Sequence, residues 1–386
     1  MILLKTPIIF QIFEWSDQTM KFTANTAQLA KACQNVQRAV ASKNSSIPAI
    51  EGILLDAREG RLFLTGYDLE VGIKTSIEAE IHEDGSIILN DQLLCDILRR
   101  LPGETVEIEA DDRFLTNIRC GETKFSLVGI DAQEYPELPS VTGGEPVFVE
   151  QAILRDMVRQ TIFATATTES KAIYTGIEFE IESGSLRLVA VDGFRLAIRS
   201  EKIDYSGEKL RFVVPSKTLS EVVKLTGEGD EAIRIGVGRR HIVFEIDGYS
   251  VVSRLLDGEF LNYRESIPSV NNLKVKVNTK MFIDSIERTS LLINDRVKSP
   301  IKCIFDSESI RISSTTALGS ANDRIDAQCE GAGIEIGFNN KYMLDALKAC
   351  DVDEVNLLLS GPLNPIIILP PQGESFLYMI LPVVLK

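Results

Sequence analysis

The chain repeats itself three times, and this limits its fold more than any other feature. Gly52-Ile53-Leu54-Leu55-Asp56-Ala57-Arg58-Glu59-Gly60-Arg61-Leu62-Phe63-Leu64 reads as two strands around a glycine turn. Gly176-Ile177-Glu178-Phe179-Glu180-Ile181-Glu182-Ser183-Gly184-Ser185-Leu186-Arg187-Leu188 reads the same way, 124 residues further on. Ile177, Phe179 and Ile181 alternate with acids there, the period of two of half-buried antiparallel strands. A third copy runs Ile301-Lys302-Cys303-Ile304-Phe305 and then Ile310-Arg311-Ile312.

A helical landmark keeps the same spacing. Leu94-Cys95-Asp96-Ile97-Leu98-Arg99, Leu219-Ser220-Glu221-Val222-Val223-Lys224 and Met343-Leu344-Asp345-Ala346-Leu347-Lys348 share one pattern. Apolar residues stand at i, i+3 and i+4, which makes one buried helix face. Tyr135-Pro136-Glu137-Leu138-Pro139 and Tyr263-Arg264-Glu265-Ser266-Ile267-Pro268 close successive copies with proline-containing linkers. The expectation is an α+β fold of three domains of one topology, each with two helices on antiparallel sheet, spanning 20–142, 143–268 and 269–386. Before them, Met1–Thr19 holds an apolar stretch and the sole tryptophan, Trp15, with neither the basic region nor the cleavage site of a secretory signal. It reads as an extension or a mis-assigned start.

The 386 residues carry 41 Lys+Arg against 56 Asp+Glu, a formal net charge of −15. Such acidity argues against a protein that coats itself with nucleic acid, yet leaves room for a local basic lining. The charge is segregated. The first helix, 27–43, holds Lys31, Arg38 and Lys43 and no acid, with Leu29, Cys33, Val36 and Val40 on its other face. The remaining predicted helices, 90–100, 150–168, 215–226, 279–292 and 339–350, are neutral or slightly basic, so the acidic excess lies on strands and loops. A solvated helix face and a surface turned toward phosphate are both compatible with this. Six cysteines (Cys33, Cys95, Cys120, Cys303, Cys329, Cys350) and two histidines (His82, His241) form no CxxC or Cys/His cluster, which points to a reducing compartment without a zinc site.

Four further segments carry a resemblance. Val191-Asp192-Gly193-Phe194-Arg195-Leu196-Ala197 is similar to a D-G-[HYF]-R-L-A element after a strand. With it stand Gly258-Glu259-Phe260-Leu261-Asn262-Tyr263, Gly337-Phe338-Asn339-Asn340-Lys341-Tyr342 and the tail Tyr378-Met379-Ile380-Leu381-Pro382-Val383. In this order, on a threefold repeat from Met20 to Lys386, they resemble the bacterial DNA sliding clamp family, the beta subunit of DNA polymerase III.

The resemblance implies a head-to-tail homodimer, a ring of six domains around double-stranded DNA, held without sequence preference or cofactor. It implies a place in the bacterial cytoplasm, at the nucleoid, and no membrane. It implies a cleft between domains two and three for short apolar peptides of the DNA polymerase III catalytic subunit, the clamp loader, other polymerases and repair proteins. Carried over residue by residue, that cleft is Tyr174, Val191, Gly193, Phe194, Arg195, Leu196, Leu261, Val297, Asn339, Tyr342, Met379, Ile380, Leu381, Pro382 and Val383. Arg195 and Asn339 would fix the peptide's polar groups; Val191, Leu196 and Ile380 read equally as core. Lys31, Arg38, Lys43, Arg155, Arg159, Lys217, Lys224, Lys280 and Lys348 are the DNA-facing candidates. Phe125 and Leu127 with Leu291 and Leu292 are the dimer-interface candidates, core packing being the alternative. One departure is visible: Val384 stands where the family often carries a base, which leaves partner preference at that rim open.

An enzyme is the weaker alternative. No phosphate-cradling glycine loop, nucleophile motif or metal cluster appears, and only Asp192 could be nominated as a catalytic group. A repeat-built adhesive protein would call for disulfides or a signal sequence, and it gives no reason for bases gathered on helices.

Overall fold

In a computed structural model the described residues are 19–141, 144–227, 229, 231–294 and 299–385. All of the N-terminal extension but Thr19, and the cleft candidate Val297, lie outside them. The chain packs as two compact units, 19–140 with Gly248–Val252 and 141–247 with 253–385.

Among the described residues there are six α-helices: α1 Thr26–Val36, α2 Asp91–Leu98, α3 Gln151–Arg159, α4 Ser216–Leu225, α5 Thr279–Thr289 and α6 Asn340–Ala349. Each repeat runs strand, helix, a set of strands, helix, three strands. The expected hairpins form as Gly52–Arg58 with Arg61–Tyr67, Gly176–Glu182 with Ser185–Val191, and Ile301–Phe305 with Ser309–Thr316. Ile177, Phe179 and Ile181 are fully buried, as their alternation requires. So are Leu29, Cys33 and Val36 on the inner face of α1, each large apolar side chain contributing about 1.5–3 kcal/mol.

Three predicted helices stop short. The first ends at Val36, followed by one 3-10 turn, Gln37–Ala39, so Val40 and Lys43 lie beyond it. The backbone of Gly66 presses there: a Cβ on that residue would sit 2.3 Å from the Val36 carbonyl oxygen. The other two end at threonines that turn back on the last carbonyls. Thr161 Oγ1 donates to the carbonyl of Met157 at 2.8 Å, and Thr289 Oγ1 to that of Ser285 at 2.8 Å.

Four helices open on an asparagine cap. The Oδ1 of Asn25, Asn90, Asn278 and Asn339 accepts from a backbone N–H of the first turn at 2.9–3.0 Å. In the middle repeat Glu150 and Pro215 take this place, and neither supplies a side-chain cap. Among the described residues that repeat also has one strand fewer than the other two. Glu80–Glu83 flanks Met20–Asn25 and Gln328–Gly331 flanks Leu273–Asn278, whereas Val147–Glu150 pairs only with Ala232–Val237 among the described residues.

In the second unit one nine-stranded sheet continues from the middle repeat into the third. Arg195–Lys202 pairs antiparallel with Phe376–Ile380, Arg195 opposite Ile380 and Leu196 opposite Met379.

The segments that leave the first two repeats are each anchored by a tyrosine in an apolar cluster, the second with an added ionic tie. Tyr135 packs in an apolar cluster with Ala49, Tyr67 and Ile88, its hydroxyl donating to the Thr65 carbonyl at 3.3 Å. The 3-10 turn Tyr263–Ser266 is also held by Glu180, which accepts from Tyr263 Oη at 3.0 Å and from both terminal nitrogens of Arg264.

Candidate peptide cleft and charged surfaces

The turn between the strands Ser185–Val191 and Arg195–Lys202 is built by one carboxylate. Asp192 Oδ1 accepts from the backbone N–H groups of Phe194 at 2.8 Å and Arg195 at 3.0 Å, while its Oδ2 accepts from Arg195 Nε at 2.9 Å. Gly193 takes φ +93°, which a side chain would strain. Asp192 is thus spent on turn structure rather than offered as a catalytic group. The turn thrusts Phe194 outward, 58 % exposed, while Arg195 folds back and is 8 % exposed.

Phe194 stands beside Tyr342 of α6, ring centroids 6.1 Å apart and planes 25° from parallel. The Arg195 guanidinium lies 4.5 Å from the Tyr342 ring centroid and 5.5 Å from that of Phe163. Asn339 opens α6 as its cap, so its Oδ1 is occupied by the N–H groups of Lys341 and Tyr342. The tail is tied along this face: Leu381 N–H donates to the Phe194 carbonyl at 2.9 Å and Val383 N–H to that of Gly337 at 2.8 Å. Asp192, Phe194, Arg195, Asn339, Tyr342 and Val383 border an open cavity of about 750 Å³ together with Thr165–Thr168, Ile293, Asn294, Ser299 and Pro300.

Of the carried-over cleft residues, Phe194, Arg195, Asn339, Tyr342 and Val383 border this cavity. Val191, Leu196 and Met379 do not border it; they lie in a core cluster with Phe260 and Tyr263, and Tyr174 packs on that cluster edge-on to Phe260. Ile380 is 1 % exposed, whereas Leu261 and Leu381 are each 37 % exposed and Pro382 is half-buried. Arg195 differs from its expected role. Asp192 holds its Nε and Asp345 its Nη1 at 2.6 Å, so two of its three nitrogens are already tied within the chain. The rim residues Thr165–Thr168 and Lys341 were not anticipated; a short polar run after a helix carries no sign of what it will face.

The DNA-facing candidates divide by pairing. Arg159 meets Asp351 at 3.0 Å, Lys224 meets Glu221 at 2.8 Å, Lys280 meets Asp284 at 3.1 Å and Lys348 meets Glu287 at 2.7 Å. Arg155 donates to the Gly227 carbonyl at 3.0 Å. Lys217 is exposed, Arg38 is half-buried with one terminal nitrogen shielded, and Lys31 and Lys43 are exposed without an acidic partner among the described residues. Four of the nine candidates therefore meet an acid, Lys224 and Lys280 on their own helix and Arg159 and Lys348 on another element, where a count of charges along each helix does not see it.

The interface candidates are not core residues. Phe125 (38 % exposed) and Leu127 lie on Thr123–Val128, the outermost strand of a five-stranded sheet. Leu291 (82 % exposed) and Leu292 lie on the 3-10 turn Ser290–Leu292, against Gly319–Asp326, the outermost strand of a four-stranded sheet.

The described cysteines are free, and burial pushes the Cys95, Cys303 and Cys350 thiols up to about 12. Among the described residues no group of His, Cys, Asp or Glu is arranged to hold a metal, and no helix is long and apolar enough to cross a membrane.

Three models of the DNA polymerase III beta subunit match the chain in succession: the N-terminal domain over residues 20–139, the central domain over 148–262 and the C-terminal domain over 264–384. The Bacillus subtilis protein named beta sliding clamp is 35 % identical over 376 residues, covering 94 % of this chain and 99 % of its own length. The solved DNA polymerase sliding clamp of the same organism superposes with a TM-score of 0.93 at 34 % identity, covering 96 % of this chain and all of its own. A DNA polymerase III beta subunit structure from Eubacterium rectale gives 0.91 at 36 % identity, covering 95 % and 100 %.

Proposed function

The chain belongs to the DNA polymerase III beta-subunit family, the bacterial sliding clamps, and on that footing we propose that its cavity at Phe194 and Tyr342 receives short peptides of partner proteins. A sliding clamp tethers a DNA polymerase to its template and is a processivity factor, not a catalytic subunit. The observation that carries the cleft is an exposed phenylalanine held beside a tyrosine on an open cavity that Val383 of the tail and the polar side chains of Arg195 and Asn339 also border. Such a groove fits Leu and Phe anchors. The expected occupants are tail or loop segments of the polymerase III catalytic subunit, the clamp loader, other polymerases and repair proteins.

In this reading two copies close head to tail into a ring of six domains, bounded near residues 142 and 268 in each chain. The outermost strands Thr123–Val128 and Gly319–Asp326, with Phe125, Leu127, Leu291 and Leu292 beside them, are suited to meet across each junction, which would remove two open sheet edges. Helices bearing few uncompensated bases would face DNA and grip it loosely enough to slide. The protein would act in the cytoplasm at the nucleoid.

Retention on plasmid DNA tests this. With clamp loader and ATP, a closed ring stays on circular plasmid and runs off a linearised one. Equal retention on both forms, or none on either, overturns the reading.

A further inference from the structure

Resting on the cleft reading above, we propose that Asp345 is a positioning residue for peptide binding, acting through Arg195 on the aromatic wall. Asp345 does not border the cavity. It sits on α6 of the third repeat, 150 residues from Arg195, which belongs to the strand Arg195–Lys202 of the middle repeat. The two side chains join those repeats at the edge of the cleft, where Arg195 borders it, in addition to the strand pairing of Arg195–Lys202 with Phe376–Ile380.

The geometry makes Arg195 a hub rather than a ligand. Its Nε is held by Asp192 at 2.9 Å and its Nη1 by Asp345 at 2.6 Å. Its planar fork is thereby fixed 4.5 Å from the Tyr342 ring centroid. Tyr342 precedes Asp345 by three residues, so both project from one face of α6. A tie at Asp345 therefore holds the turn that carries Tyr342, and Arg195 supports the ring itself. Phe194, beside Tyr342, follows from the turn that Asp192 builds. Two carboxylates and one guanidinium thus set both aromatic groups that a peptide must meet. A guanidinium can serve both acids and the ring at once; a lysine ammonium cannot.

The test uses the full chain, a fluorescein-labelled synthetic pentapeptide ending in Leu-Phe, and 3-fluorotyrosine incorporation with the Tyr342 signal assigned through Tyr342→Phe. Asp345→Asn is expected to weaken the peptide about tenfold, the scale of one charge-assisted hydrogen bond. It should also move the Tyr342 fluorine resonance in the peptide-free protein. Asp345→Glu, which keeps the charge, should recover part of both effects. Arg195→Lys should displace the same resonance, a second readout should Asp345→Asn fold poorly. An unmoved Tyr342 resonance in Asp345→Asn overturns the proposal, as does wild-type affinity in that variant. If the wild-type chain fails to bind the peptide at all, the cleft reading falls, while the fluorine signal still decides whether Asp345 positions Tyr342.

Discussion

Glu180 holds Arg264 by both carboxylate oxygens, Oε1 at 3.1 Å and Oε2 at 2.6 Å, and so fastens the turn Tyr263–Ser266 to the strand Gly176–Glu182. Burial pushes the Glu180 carboxyl up, but hydrogen bonds from Arg264 and Tyr263 and the charges of Arg264 and Arg187 outweigh it, so its pKa is lowered. A carboxyl depressed by folding contributes stability that is full above the unfolded value and is lost as pH falls through the folded one. Glu180→Gln should cost about 1.5–3 kcal/mol at neutral pH, and the gap from wild type should narrow from about pH 5 downward. Thermal midpoints between pH 7 and pH 3 check this. Glu178 is a contrast: burial raises its carboxyl against the hydrogen bond from Arg211. Glu178→Gln should therefore leave the acid limb in place; a gap that stays constant with pH in Glu180→Gln refutes the assignment.

The middle repeat is open to improvement at a helix start. Glu150 takes φ −58° and ψ 140°, close to the −53° and 124° of the capping Asn90, yet its side chain caps nothing. Glu150→Asn should stabilise the protein by about 0.5–1 kcal/mol, seen as a rise of a few degrees in Tm. No rise would mean that the negative charge of Glu150 at the helix N-terminus already offsets the missing cap.

The two outer strands offer a test of assembly. Leu291→Asp or Phe125→Asp places a charge where the proposed junction is apolar. Each should shift the native mass in solution from two chains to one while leaving the fold intact, since neither side chain belongs to a core. Retention on circular plasmid should fall in parallel.

Among the basic side chains, pairing predicts which matter. Lys31→Glu and Lys43→Glu should each weaken retention on DNA and lower the salt slope of binding by about one for every phosphate no longer neutralised. Lys348→Glu should do less, because Glu287 at 2.7 Å already compensates that lysine. Binding measured across a salt series separates the cases; an equal effect at Lys348 would show that the ion pair opens on DNA.

The period-two alternation in Ile177, Phe179 and Ile181 and the i, i+3, i+4 pattern at Leu94, Ile97 and Leu98 made the repeats legible, because each is a local consequence of burying one face. Pairing across the chain was not. Asp345 shares its local pattern with Asp96 and Glu221, and nothing nearby shows that it will find Arg195 rather than solvent. The same holds for Lys348 with Glu287 and Arg159 with Asp351, so helices read as basic from their own residues carry their counter-charges on other elements. Val191, Leu196 and Met379 belong to the motifs by their order, yet whether such a residue turns to the core or to the cavity depends on which way its strand faces, and these three turn to the core.

Tyr135 and Tyr263 hold comparable places at the ends of their repeats and both pack in apolar clusters, but Tyr263 also donates to a carboxylate, Glu180, that Arg264 grips. Apolar anchoring loses strength on cooling, whereas ionic anchoring is weakened by added salt and favoured by warmth, as the cost of stripping water from charges falls. Cold therefore loosens the packing of both segments, whereas added salt reaches only the Glu180–Arg264 pair beside Tyr263.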